Sequence, residues 1–383
     1  MSAVPFVNLI AQHRGLRDEI AAALDRLVSS ASFIGGEAVA AFEAACAARL
    51  GVSTTCGVAN GTDALQLCLR ALGIGPGDEV IVPALTFFAT AEAVALVGAE
   101  PVFCDVDEDT LVVGPDQVAP RLSARTRAIM TVDLYGRLAP VRAIRELVAD
   151  RGIHVIEDAA QSFGAHAAAR GDARVADAVT FSFYPTKNLG ACGDAGLVAC
   201  ADPGLLDHVR SLANHGRQAH YLHGAVGTNS RLDAFQAAIL ALKLPYLDTW
   251  TRRRRQLALR YWRHLQGLET LVPVSADVLR AYAGGAAAEV AEHVWHLFVI
   301  RVTRGRRDEL AHALGSRGIG TAVAYPVPLP HLDAFKHQGY QRGDFPAAEL
   351  AAEQVLSLPL YPELADAQVD FVAESCGQIL RSS

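Results

Sequence analysis

Between about residues 54 and 200 the chain keeps repeating one unit, a short β-branched apolar run followed by a stretch with helical periodicity. The runs Thr54–Val58, Val80–Val82, Val102–Asp105, Ile129–Val132, His154–Ile156, Val179–Phe183 and Gly196–Ala199 read as seven strands of one sheet. Segments such as Ala64–Leu72, Ala89–Leu96 and Val141–Arg151 lie between them with the spacing of crossover helices. Parallel neighbours cannot be joined by tight hairpins, and each crossover helix must bury its apolar stripe on a face of the sheet. The pattern therefore predicts an α/β three-layer sandwich with a mainly parallel seven-stranded sheet. Ligands of such sheets bind beyond the carboxyl ends of the strands, which directs attention to the residues that follow each run.

The remainder organises around this sheet. Leu232 to about Leu265 reads as a long helix broken or kinked at Pro245, where a missing amide and ring crowding interrupt the ladder. After Pro273 the composition shifts: Ala/Gly-rich Tyr282–Ala291, a strand-like run Val294–Val302, a helix around Arg307–Arg317 and a Pro-rich loop Pro326–Pro330. These suggest a smaller α+β C-terminal domain, with residues 1–250 forming a large domain that includes an N-terminal arm and helix, and 251–383 the small one. A chain of 383 residues, 51% apolar, can bury cores of this size.

Net charge and punctuation narrow the partners. A balance of −7 argues against nucleic acid or an anionic membrane surface, and the basic run Arg252–Arg255 reads as a solvated helix face. The absence of a long apolar run or a leader-like start predicts a cytoplasmic protein. Seven cysteines form no C-x-x-C pair and thirteen histidines lack ligand spacing, so no disulfide framework and no metal are expected.

The chemistry concentrates after the strands. Lys187 stands in Phe181-Ser182-Phe183-Tyr184-Pro185-Thr186-Lys187-Asn188-Leu189-Gly190, a glycine-punctuated turn, twenty-nine residues beyond Asp158 in Val155-Ile156-Glu157-Asp158-Ala159-Ala160-Gln161. An amine that can hold an aldehyde and a carboxylate that can keep a pyridine nitrogen protonated are what pyridoxal 5'-phosphate (PLP) requires of a protein. Lys187 could equally be a surface turn lysine, and Asp158 a helix cap. Gln161 follows on the same helical face as Asp158, within reach of a ring hydroxyl on the same cofactor.

Asn60-Gly61-Thr62-Asp63 lies between a strand and a helix, so first-turn amides and the Thr62 hydroxyl could hold a phosphate. The alternative is a plain helix start capped by Thr62 or Asp63, and Asp63 in either case is expected to cap and point away from an anion. Ser182 could hold phosphate or face the opposite layer. Phe87 could lie against a heteroaromatic ring or simply pack in the core.

Taken in order, Asn60–Leu65, Gly75–Pro83, Leu134-Tyr135-Gly136, Glu157–Gln161, Phe181–Gly190, Asn229-Ser230-Arg231-Leu232-Asp233 and Leu356-Ser357-Leu358-Pro359 resemble the DegT/DnrJ/EryC1/StrS family of PLP-dependent sugar aminotransferases, nearly end to end. The resemblance implies the PLP fold type I architecture. It assigns Gly61, Thr62 and Ser182 to the phosphate, Phe87 to ring stacking, Asp158 to the pyridine nitrogen, Gln161 to the ring hydroxyl and Lys187 to the Schiff base. It also implies a homodimer in which Asn229 reaches the neighbouring subunit's phosphate, with Arg231 and Tyr325 placed toward substrate. The implied reaction moves an amino group from an amino acid, L-glutamate, through pyridoxamine phosphate to a nucleotide-linked keto-deoxysugar in amino-sugar or natural-product biosynthesis.

Two departures bear on the acceptor. Where the family often has His-Tyr-Pro and then Pro-Leu-His, this chain has Ala324-Tyr325-Pro326 and Pro328-Leu329-Pro330-His331; where many members have His-Leu-Tyr-Gly, it has Asp133-Leu134-Tyr135-Gly136. Both places are expected to border the sugar. They keep open a keto-cyclitol aminotransferase using L-glutamine, and a PLP-binding regulator without catalysis forms the remaining alternative.

Overall fold

The computed structural model of the protein describes residues 3–165, 175–268, 271–285 and 293–381. Seven strands form one sheet: β1 (Thr55–Val58), β2 (Glu79–Pro83), β3 (Glu100–Cys104), β4 (Thr126–Val132), β5 (His154–Asp158), β6 (Ala178–Ser182) and β7 (Gly196–Ala199), in spatial order β1-β7-β6-β5-β4-β2-β3. β2 through β6 pair in parallel, and β7 runs against both β6 and β1. All seven expected runs are strands of this sheet, Gly196–Ala199 unchanged at both ends and the others with boundaries moved by at most three residues. Every residue of β1, β2 and β7 is buried, so both faces are covered, as continuous apolar strands require.

Helices Gly61–Ala71 and Ala89–Leu96 occupy the expected crossovers, while the third is shorter than its sequence pattern, ending as Val141–Leu147 before a turn. The long helix breaks where proline demands it: Ala234–Lys243 gives way to a 3-10 turn, Leu244–Tyr246, and resumes as Leu247–Leu265. Residues 217–223 add a small hairpin, β8 (Arg217–Ala219) with β9 (Leu222–His223). A second sheet joins β10 (Leu271–Pro273), β11 (Phe298–Val302) and β12 (Val355–Leu358), all antiparallel. The expected helix near 307–317 is Arg307–Ser316. Much of the Ala/Gly-rich stretch 282–291 lies outside the described residues.

Two hydrophobic clusters result. The first surrounds the large sheet and includes Phe335, Phe345 and Val355 from late in the chain. The second gathers Leu257, Tyr261, Trp295, Phe298, Leu356 and the helix Asp366–Arg381, with Val4 of the N-terminal arm inserted.

The basic run is not a uniformly solvated face. Arg254 is only 4% exposed, and its Nη1 donates to the carbonyls of Trp295 (3.2 Å), His296 (3.2 Å) and Leu360 (2.9 Å). Burial lowers its pKa to about 10. A buried guanidinium is tolerated here because fixed carbonyl dipoles replace the water it gives up.

Candidate active site

Because β7 runs opposite to its neighbours, the carboxyl ends of β1, β2, β4, β5 and β6 share one edge of the sheet. Each is followed by a residue the sequence singled out. β1 leads to Gly61 and Thr62, β2 to Phe87, β4 to Tyr135, β5 ends on Asp158 with Gln161 just beyond, and β6 ends on Ser182 with Lys187 in the next turn.

Asp158 is 6% exposed and its two oxygens are oriented: Oδ2 accepts from Thr90 Oγ1 at 2.9 Å and Oδ1 from the Ala160 amide at 3.2 Å. Burial pushes its pKa up, against the opposing pull of these two donors and of Lys187. Lys187 is half-buried, its amide bonded to the Tyr184 carbonyl at 2.8 Å. Desolvation lowers its pKa to about 8, resisted by the charge of Asp158. The turn that carries it closes through Ala191 N–H to the Phe183 carbonyl (2.8 Å), with Gly190 pressed onto Pro185 so tightly that a Cβ would stand 2.2 Å from its oxygen. Lys243, fully buried, donates from Nζ to the Gly190 carbonyl on the far side.

The helix start at Gly61 is capped by neither Thr62 nor Asp63. Asn60 Oδ1 accepts the Asp63 amide at 2.8 Å, so the expectation that Asp63 caps its own helix is corrected: the residue before the glycine does so. Gly61 lies against Ser182, where an added Cβ would stand 2.7 Å from the serine Cβ. That contact sets Ser182 beside the amides of the first turn, a concentration of donors and helix-end charge suited to an anion. Gly61→Ala is expected to push the two apart and weaken cofactor binding about tenfold, the effect of roughly 1.4 kcal/mol of overpacking, measured by equilibrium dialysis.

Phe87 is 54% exposed rather than packed in the core, and its ring tilts against Tyr325 with centroids 6.0 Å apart. Gln161 joins two tyrosines, accepting the Tyr135 amide on Oε1 (2.7 Å) and donating from Nε2 to Tyr325 Oη (3.2 Å). Tyr135 Oη in turn donates to the Ala324 carbonyl, and Leu329 N–H bonds the Ala84 carbonyl at 2.8 Å. The loop bearing Tyr325 is thereby fastened to the ends of β2, β4 and β5.

Both sequence departures change meaning in three dimensions. Asp133 is wholly buried, its carboxylate taking the Ala139 amide at 2.8 Å and the Ser162 hydroxyl, so it braces the strand-end turns. His331 pairs through Nε2 with Glu349 Oε1 at 3.0 Å and is likewise occupied in structure. Arg231 donates from Nη1 to Asn214 Oδ1 at 3.2 Å, while its buried Nε has no partner; Asn229, opposite Asn214 in an isolated bridge, is exposed. His296 and Arg254, both near Lys187 electrostatically or through shared contacts, carried no motif that would have singled them out. Among the described residues no group of three or more His, Cys, Asp or Glu is arranged to hold a metal, and no helix is long and apolar enough to cross a membrane.

The donor set fits PLP. A carboxylate is buried with its pKa raised, a neighbouring amine has its proton affinity lowered, an aromatic face is open, and a helix start meets a serine. At the strand ends of a mainly parallel sheet, that combination defines a PLP-dependent aminotransferase of fold type I. The chain belongs to the DegT/DnrJ/EryC1/StrS aminotransferase family, whose model matches residues 15–376.

Its relatives carry more than one kind of name. The chain is 42% identical to a pleiotropic regulatory protein of Geobacillus stearothermophilus, covering 99% of each. It is 43% identical to a dTDP-3-amino-3,4,6-trideoxy-α-D-glucose transaminase of Streptomyces venezuelae, covering 94% of this chain and 92% of that one. The crystal structure of S. venezuelae DesV in complex with a ketimine intermediate is similar with a TM-score of 0.90 at 39% identity, covering 99% of both chains.

Proposed function

We propose that the protein transfers an amino group from L-glutamate to the keto group of a nucleotide-linked deoxysugar, acting as a cytoplasmic homodimer with a large domain of residues 1–250 and a small one of 251–383. The observation that carries this reading is that Asp158 ends β5 and Lys187 stands in the turn after β6, its parallel neighbour, which brings the two to one edge of the sheet within electrostatic reach of each other. The sugar acceptor is supported by the similarity to the S. venezuelae transaminase.

When bound, PLP supplies an electron sink for breaking the donor's Cα–H bond. The residues supply the rest. Gly61, Thr62 and Ser182 would hold the phosphate, Phe87 would cover the ring and Gln161, set between Tyr135 and Tyr325, would meet its hydroxyl. Asp158, held by Thr90 and Ala160, would keep a proton on the ring nitrogen. Lys187 Nζ, with a pKa of about 8, reaches its neutral form near working pH and can take the Cα proton and return it one carbon away. The unpartnered Nε of Arg231 supports its assignment to an anionic group of the substrate, and Asn229 is assigned to the partner subunit's cofactor phosphate.

The test is a half-reaction without acceptor, following the visible band of the PLP-loaded protein on adding L-glutamate or L-glutamine separately. Loss of the band with release of 2-oxoglutarate supports the reading. A response to glutamine alone transfers the assignment to a keto-cyclitol aminotransferase. Silence toward both, with PLP bound, leaves another amino donor or the regulator to be tested next, the latter a reading that the name of the G. stearothermophilus relative keeps in view.

A further inference from the structure

We propose that His296 is a positioning residue for Lys187, its imidazole fixing, through Asn188, the turn that presents the amine. The inference rests on the role proposed for Lys187 and adds to it a residue that no motif marks.

Residues 293–297 run as an interior strap between two strand-end turns. On one side Val294 N–H bonds the Gly136 carbonyl (2.9 Å) and Leu297 N–H the Tyr135 carbonyl (3.3 Å). On the other, Asn188, the residue after Lys187 and 4% exposed, donates from Nδ2 to the Val294 carbonyl (3.1 Å), and its Oδ1 faces His296 Nδ1 at 3.3 Å. The chain of bonds fixes the tautomer. With Nδ2 committed to a carbonyl, Asn188 presents an acceptor, so His296 Nδ1 must carry the hydrogen and Nε2 the lone pair.

The ring also stays uncharged. Burial, then the positive charges of Lys187 and Arg254, hold its pKa well below the ordinary histidine value. Arg254, on the helix behind the strap, fastens the carbonyls of Trp295 and His296 itself, which fixes the ring's origin. The charged groups are therefore Asp158, from the end of β5, acting on Lys187, and Lys187 itself with Arg254, from the long helix, acting on His296. A neutral donor at Nδ1 holds the turn without adding a second positive charge beside the amine. An imidazolium there would repel the lysine cation and loosen the seat it is meant to hold.

The test titrates Lys187 in the cofactor-free protein, by trinitrobenzenesulfonate labelling against pH with the modified peptide quantified by mass spectrometry. Wild type should show half-maximal labelling near about 8. His296→Leu and Asn188→Ala should move that midpoint up by about one unit or more, toward an ordinary lysine, as the freed turn lets the amine regain water. His296→Asn places an amide N–H where Nδ1–H stood and should keep the midpoint within about 0.3 unit of wild type.

A wild-type midpoint in folded His296→Leu overturns the proposal, as does a shift in His296→Asn as large as that in His296→Leu. If His296→Leu does not fold, Asn188→Ala decides by the same criterion, and should both fail to fold, His296→Gln, whose longer side chain cannot keep its amide N–H at the Nδ1 position, takes their place with the same expected upward shift. Borohydride reduction of the PLP-loaded wild type, with mapping of the pyridoxyl lysine, separates the two claims. A label on another lysine defeats the role given to Lys187, whereas the apoprotein titration judges His296 regardless.

Discussion

Lys187→Ala is expected to lower the rate of the first half-reaction by roughly 10⁴-fold or more, because the variant loses both the amine that holds the cofactor and the group that moves the Cα proton. The measurement is single-turnover loss of the visible band on mixing the reconstituted variant with L-glutamate. The fold should survive. Lys187 has its proton affinity lowered in the folded chain, so its charged form opposes folding: the unfolded chain binds that proton more tightly, and stability rises as pH climbs from about 8 toward the unfolded lysine value. Removing the side chain removes this liability, and the alanine variant at pH 7 should melt no lower than wild type. A rate within tenfold of wild type would remove Lys187 from the chemistry. A rate collapse accompanied by a large fall in melting temperature would mean that the residue had been supporting the turn.

The same lysine shows how far sequence could lead. The seven strand runs were legible because a buried parallel sheet tolerates nothing but apolar, β-branched stretches, and Pro245 announced its own break. Lys187, Asp158, Gly61 and Ser182 stood out because each falls at or just past the end of such a run, and the direction of the strands then brings all of them to one edge. What could not be read depends on partners distant in the chain. Arg254 looked like one member of an exposed basic run; the carbonyls that bury it come from residues 295, 296 and 360. His296 had no ligand spacing and no motif, since its meaning lies in contact with Asn188, over a hundred positions earlier.

Local chemistry misled in a second way. Asp63 and Asn60 are both good caps, and only the backbone geometry at the glycine selects the asparagine. Asp133 and His331 occupy places where a substitution suggested a changed substrate, yet each is consumed by neighbours: Ala139 and Ser162 for one, Glu349 for the other. Tyr325, fastened to Gln161, and Arg231, retaining an unpartnered buried nitrogen, carry the proposed assignment to the acceptor.

Asp158→Asn should leave the cofactor bound and slow the half-reaction by roughly 10³-fold, the scale of losing a buried charge aimed at a reacting centre. Binding should survive because the phosphate contacts proposed for Gly61, Thr62 and Ser182 lie on other strand ends. The chemistry does not, because an amide in this position offers no negative charge to keep the ring nitrogen protonated, while Thr90 and Ala160 can still hold it in place. A pH series adds a direction. In the cofactor-free protein burial raises the pKa of Asp158, so its carboxylate form, the one able to balance a cation, is lost as pH falls through a value above that of an ordinary aspartate. Wild-type affinity for the cofactor should weaken on that acid side, and the Asn variant, with nothing to titrate, should lack this component. Measured by fluorescence titration across the same buffers, parallel curves for the two proteins would show that Asp158 does not bear the counter-charge, whatever the turnover of the variant.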